Sequence, residues 1–368
     1  MRQYFIIGLV FFLIFFSSNL YSQTSLKDRL YIEANYHYGF VMPHLDPIAY
    51  FINEHVNGYQ VNVGILSTGK KKWQQDYNYP LFGLGFYHSG LGNTRIFGQV
   101  NALFCYVDRY FFRYNSRFNL GNRLEFGLGY INRKFDLQNN YFDIAIGSHL
   151  NTYLNYSLEG LIRIQPQLTM KIGVGMSHVS NGRFSEPNKG LNFLTTFAGF
   201  EYSFKEPLHY EGYSDIADDL PEHQFIVTLG GGEKQISRRL PDRYAALALS
   251  TEYSRKIFRN GYAGLSLNTY YDPSLIKEIE LEGDTAKSSD CLRLSLNLSY
   301  EMKMGHISYL FQPGIYLKNA YSKIGNISNR IGIRYQIDRH WLAGVTIKAH
   351  WIAIADFIEW GVGYRIAK

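Results

Sequence analysis

"CLRLSLNLSY", residues Cys291 to Tyr300, alternates without a break, with Leu292, Leu294, Leu296 and Leu298 on one beat and Arg293, Ser295, Asn297 and Ser299 on the other. Successive side chains of a strand point to opposite faces, so this run predicts a β-strand with one oily and one wet side. The same beat runs through "RLEFGLGYI" (Arg123–Ile131), where Leu124, Phe126, Leu128 and Tyr130 oppose Glu125, Gly127 and Gly129. It also closes the chain, with Ile358, Trp360, Val362, Tyr364 and Ile366 against Glu359, Gly361, Gly363 and Arg365. Such runs recur from about Leu30 to the C-terminus and are separated by turn-forming stretches such as "LQNN" and "KIGN".

Alternation alone also fits a soluble sandwich, and three further features separate the two. Residues 1–22 read as a secretory signal: Arg2, an apolar run from Tyr4 to Phe16, then small and polar residues ending in "LYSQ", with cleavage expected after Ser22. The strand runs are ten residues or longer, and their wet faces carry Gly, Ser, Asn and Arg rather than core residues. No later stretch approaches the ~18 consecutive apolar residues of a membrane-spanning helix. Composition agrees, because 31 Tyr, 26 Phe and 34 Gly in 368 residues, with only 18% charged, suit a barrel with aromatic girdles and a crowded lumen. The expected architecture is an all-β, transmembrane antiparallel β-barrel of about 12–14 strands over residues 23–368, oily side outward, in the cell outer membrane. Pro43 to Gly58, Gly69 to Tyr79, Glu206 to Glu222 and Asp272 to Asp290 read as loops.

The formal net charge of +6 suits anionic lipid head groups and equally an ordinary surface. Cys105 and Cys291 lie far from the cleavage site and in strand-like runs, so no lipid anchor and no disulfide is expected. Nothing in the chain points to a nucleotide loop or nucleic-acid binding. No His/Asp/Glu cluster has metal-ligand spacing, and no cofactor is expected. The number of copies in an assembly is not set by the sequence.

One segment breaks the beat in an informative way. Along "LIRIQPQLTMKIGVGMSHVS" (Leu161–Ser180) the even positions Ile162, Ile164, Leu168, Met170, Ile172, Val174 and Met176 are apolar, and His178 and Ser180 continue that series. After the insert "NGRFSEPNKG" the next strand places Asn192 on its own apolar phase. If the two strands form a hairpin, three polar groups meet near one rim of the outer wall, where an unpaired polar group is costly. A serine becomes a nucleophile when a base takes its proton, which His178 can do for Ser180, and the second ring nitrogen of His178 needs an acceptor. Asn192, or Glu186 if the insert folds back, can supply it. Asn181, Asn188, Gly182 and nearby backbone N–H groups are candidates to hold an oxyanion. A site on the lipid face would meet membrane-lipid esters by lateral diffusion, which points to acyl hydrolysis; the alternative is an ordinary histidine of the interfacial belt.

The stretch "HVSNGRFSEPNKGLN" resembles the lipid A 3-O-deacylase family of PagL-like outer-membrane barrels, whose motif runs His-x-Ser-Asn, then Pro-Asn-x-Gly, then an acid twelve residues after the serine. His178, Ser180, Asn181, Pro187, Asn188 and Gly190 match it, and Asn192 stands where the acid would be. The site motif is also similar to that of outer-membrane phospholipase A, whose third member is an asparagine at that spacing; that likeness would place Arg183 in a region linked to calcium and dimer formation. The "PNKG" segment and the closing "KAHWIAIADFIEWGVGY" look more like the deacylases. The deacylase resemblance implies a serine esterase that removes an ester-linked acyl chain from lipid A, with Ser180 as nucleophile, His178 as base and Asn192 as orienting residue, and lipopolysaccharide as its membrane-lipid partner. It accounts for about eight strands only. The rivals are a phospholipase A and a non-catalytic pore or structural barrel. A second polar set, Lys348, His350, Glu359 and Arg365, shares the inward phase of the last strands and is expected to brace the lumen.

Overall fold

The computed structural model describes residues 28–112, 116–205, 220–321, 325–351 and 354–368. The expected signal peptide and most of the Glu206–Glu222 loop lie outside the described residues. The strands of the first half are β1 (Leu30–Met42), β2 (Val56–Leu66), β3 (Leu81–Gly90), β4 (Gln99–Tyr110), β5 (Phe118–Ile131), β6 (Leu150–Gln165), β7 (Leu168–Ser180) and β8 (Leu191–Ser203). Those of the second are β9 (His223–Gln235), β10 (Arg243–Phe258), β11 (Gly261–Tyr271), β12 (Leu292–Met304), β13 (Ile307–Lys318), β14 (Ile327–Gln336), β15 (Trp341–His350) and β16 (Ile354–Ala367). The strand runs expected from the alternation are there, and all pair antiparallel.

The ring, however, closes twice. Strand β8 returns to β1, with Ser203 opposite Tyr31 and Asn192 opposite Met42, and β16 returns to β9, with Trp360 opposite Gly231. The chain therefore forms two closed eight-stranded barrels rather than one of 12–14 strands. The miss has a physical cause, since a period of two reports which face a side chain takes and nothing about which strand's N–H groups it pairs with.

Both barrels carry the inverted phase. In β12, Leu298 is 64% exposed while Arg293 is fully buried. Polar side chains fill each lumen. In the first barrel Arg123 donates to both carboxylate oxygens of Glu33 at 2.8 and 2.7 Å, and Lys171 lies 3.0 Å from Glu33 and 2.8 Å from Glu159. In the second, Arg334 pairs with Glu252 at 2.6 Å, while Lys234 and Arg293 share Asp272 and Asp356. Of the predicted lumen set, Lys348 and His350 face Asp356, Glu359 pairs with Arg330, and Arg365 donates to the Arg339 carbonyl. All four point inward, but in separate clusters. Buried charges need such partners, because an unpaired one costs several kcal/mol.

The barrels stand side by side. On their outer walls, Phe82, Val107 and Leu124 of the first pack with Met302, Met304 and Tyr309 of the second. Trp73, in the short helix α2 (Lys72–Asp76) that follows α1 (Asp46–Ala49), joins this seam. Asn260 donates to Asp76 at 2.9 Å at one rim of the seam. Cys105 and Cys291 are free thiols, Cys291 in the 3₁₀ turn before β12. Among the described residues, no helix is long and apolar enough to cross a membrane.

Candidate active site

Strands β7 and β8 form the hairpin that the phase argument required, with His178 directly opposite Asn192. Ser180 ends β7 beside β6, where it faces Thr152. His178 and Asn192 are half-buried on the outer wall, and Ser180 is 8% exposed. The Ser180 hydroxyl lies 2.9 Å from His178 Nε2, and His178 Nδ1 lies 2.7 Å from Asn192 Oδ1. Only one tautomer fits both contacts: Nδ1–H donates to the amide oxygen, which leaves Nε2 to accept from the serine.

The line continues into a residue the sequence did not flag. Asn192 Nδ2 donates to His44 Nδ1 at 3.4 Å, and His44 Nε2 donates to the Lys189 carbonyl at 3.0 Å. His44 lies just past the end of β1, on an irregular loop with no periodicity to reveal it. The amide of Asn192 is thereby held with its oxygen toward His178. Glu186, the alternative orienting residue, is engaged elsewhere: it takes Arg183 Nε at 3.2 Å and the Asn188 N–H at 3.1 Å.

The insert between the strands, 181–190, folds into a tight loop. Asn181 accepts the Ser185 N–H at 3.1 Å and donates to the Ser185 carbonyl at 2.9 Å, and its own N–H goes to Asn188 Oδ1 at 2.9 Å. Asn181 is thus occupied in holding the loop. Among the described residues, the Gly182 N–H and the Asn188 amide NH₂ make no hydrogen bond, so of the predicted oxyanion groups these two keep donors to offer. Gly190 has φ +71°, and a Cβ there would come within 2.8 Å of His178 Cε1, so only glycine lets the chain pass the imidazole so closely. Its N–H donates to the Ala145 carbonyl at 3.0 Å, which ties the loop to the β5–β6 connection. There Asp143 accepts from the N–H groups of Ala145 and Ile146, both at 3.0 Å.

Burial alone would lower the pKa of the Arg183 guanidinium, but Glu278, Asp356 and Glu186 around it more than offset this and raise it. Among the described residues, no group of His, Cys, Asp and Glu could hold a metal ion.

Two family models match the chain: the lipid A 3-O-deacylase (PagL) model over residues 57–201, and the acyloxyacyl hydrolase C-terminal domain model of PagL over residues 223–368. The chain belongs to the lipid A 3-O-deacylase family. It is an outer-membrane barrel enzyme, an ester hydrolase that deacylates lipid A. The two matched spans fall one on each barrel of this deacylase. No curated protein matches it. Similar solved structures include the outer membrane enzyme PagL (15% identity, TM-score 0.30, covering 45% of this chain and 97% of that one). Neisserial surface protein A is similar at 10% identity and TM-score 0.33, covering 47% of this chain and 96% of its own. A mutant Rh. blastica porin is similar at 10% identity and TM-score 0.18, covering 92% of this chain and 99% of its own.

Proposed function

We propose that Ser180 is the nucleophile of this deacylase, His178 its base and then its acid, and Asn192 the residue that orients the imidazole, and that the ester attacked is at the 3-O position of lipid A. The single observation that carries the reading is the unbroken hydrogen-bond line Ser180–His178–Asn192 on the lipid-facing wall. Lipid A held in the outer leaflet presents its acyl esters near a barrel rim. Ser180 Oγ attacks the ester carbonyl as its proton passes to His178 Nε2. The Gly182 N–H and Asn188 amide donate to the oxyanion, and collapse expels the sugar hydroxyl, which takes the proton from Nε2. Water then attacks the acyl-serine as Nε2 accepts its proton, and collapse releases the fatty acid as Nε2 returns that proton to Ser180 Oγ. Asn192 holds the tautomer without adding a charge, so the imidazolium that forms is stabilised less than beside a carboxylate.

The test is mass spectrometry of lipid A and phospholipids from lipopolysaccharide-bearing cells that produce the wild type or Ser180→Ala. Loss of one hydroxyacyl mass from lipid A in the wild type alone supports the reading, with the activity of the variant down at least ~10⁴-fold. Deacylation by Ser180→Ala at the wild-type level overturns the assigned nucleophile. Asn192 is also the third member expected of a phospholipase A; lysophospholipid formed in a calcium-dependent way, with lipid A untouched, would transfer the same three roles to that substrate.

A further inference from the structure

The loop 181–190 has two sides. One joins the ends of β7 and β8, where Gly190 packs against His178 and Ser180. The other is docked on the second barrel, through contacts of four different kinds. The Gln235 N–H at the end of β9 donates to the Arg183 carbonyl at 3.0 Å, and its side-chain oxygen accepts the Glu186 N–H at 2.9 Å. The Arg183 guanidinium is bound by Glu278 of helix α3 (Ser274–Leu281), and it lies 3.7 Å from Asp356 of β16. The Arg243 guanidinium sits over the Phe184 ring at 3.9 Å. Gly182 lies against Ile358 with no room for a Cβ between them.

These contacts hold a loop that would otherwise relax. Arg183 has φ +68°, a left-handed conformation that costs a non-glycine residue about 1 kcal/mol and persists only where the surroundings fix it. Its charge is matched by three carboxylates, Glu186 within the loop and Glu278 and Asp356 outside it, with side chains 19%, 7% and 0% exposed. Pairs this sheltered are screened little by salt.

We propose that the second barrel is a clamp on the active-site loop, and that Arg183 and Gln235 are positioning residues that hold the Gly182 N–H and the Asn188 amide at the distance the oxyanion needs. The inference rests on Ser180 being the nucleophile. It gives the second barrel a part in the reaction without any group of its own touching substrate. Donors of an oxyanion hole act on the transition state far more than on the bound ester, so the clamp raises kcat and leaves KM nearly alone.

The experiment measures kcat and KM on lipid A micelles for full-length wild type, Gln235→Ala, Arg183→Ala, Arg183→Lys and Ser180→Ala, each first shown to be folded by heat-modifiable migration on a gel. Gln235→Ala and Arg183→Ala are expected to lower kcat by about 10- to 100-fold, the range a roughly 1 Å misplacement produces, with KM changed less than about twofold. Arg183→Lys should recover part of the loss, because an ammonium still faces Glu278 and Asp356. Wild-type kcat in Gln235→Ala and Arg183→Ala, or a loss carried by KM alone, overturns the clamp while an inactive Ser180→Ala leaves the catalytic assignment standing. An active Ser180→Ala instead breaks the assignment itself. If Arg183→Ala does not fold, Gln235→Ala decides alone.

Discussion

Each barrel carries a histidine at or near the end of its seventh strand, and the two have opposite lives. His350 ends β15 pointing inward, 2% exposed, 3.2 Å from Asp356 and 2.8 Å from the Tyr316 hydroxyl. His178 lies two residues from the end of β7 pointing outward, between Ser180 and Asn192. The residue opposite His350 on the last strand is Ile354, whereas the one opposite His178 is Asn192. The strand architecture is the same in both. What separates a bracing group from the proposed base is the face the side chain takes, together with the polarity of the single residue across the hairpin.

The sharpest way to break the comparison is to make the first hairpin like the second. Asn192→Leu puts an apolar side chain opposite His178, as Ile354 does for His350, and frees the imidazole to rotate or adopt the wrong tautomer. The expected loss in kcat is ~10²- to 10⁴-fold, with KM little changed, as steady-state kinetics on lipid A would read it. Asn192→Asp should sharpen the contrast in the other direction. A carboxylate holds the same tautomer and stabilises the imidazolium, so kcat should be at least that of the wild type, and the acid limb of the rate profile should move to higher pH. An Asn192→Leu enzyme with wild-type kcat would mean that the hairpin partner is irrelevant.

A smaller effect is expected at His44. It fixes the Asn192 amide from the far side through one exposed hydrogen bond of 3.4 Å, so His44→Leu should cost about threefold in kcat, near the ~0.7 kcal/mol of a weak bond. The same substitution in an Asn192→Asp background should cost less, because a carboxylate presents oxygens on both sides and needs no orienting. Equal losses in the two backgrounds, measured as a double-mutant cycle, would show that His44 acts by some route other than Asn192.

What could be read from the chain follows the same division. Leu292 to Ser299 declared its faces because period two maps directly onto them, and His178, Ser180 and Asn192 stood out because they are polar residues on an apolar beat. The double closure was hidden, since the pairing of Ser203 with Tyr31 is a backbone contact between distant residues that no side chain announces. His44, Gln235 and Glu278 were hidden for a related reason. Each reaches the site loop or its hairpin from a distant part of the sequence, two of them from connections and one from the end of a strand in the other barrel, where periodicity says nothing. Asn181 was legible as a site residue, but whether its donors face the substrate or its own loop depends on the turn at Gly182 and Arg183.

The mildest prediction concerns a support with no counterpart in the hairpin comparison. Asp143, in the β5–β6 connection, is fully buried, and burial pushes its pKa up to about 7 against the opposing pull of the Ile146 and Ala145 N–H groups. The ordinary value is 3.8. The folded loop therefore binds the proton more tightly than the unfolded chain does, so its stabilising contribution is complete below about pH 4 and is lost as pH rises through about 7. Asp143→Asn keeps an oxygen to accept both N–H groups and carries no charge at any pH, so this dependence should vanish. Hydrogen exchange at Ala145, Ile146 and Gly190, corrected for intrinsic rates, should show wild-type protection falling between about pH 4 and pH 7 and the Asp143→Asn protein flat over the same range. Because the Gly190 N–H donates to the Ala145 carbonyl, it should lose protection together with the other two. Gly190 protection that stays constant while Ala145 and Ile146 open would show that the clamp from the second barrel, and not this connection, holds the site loop in place.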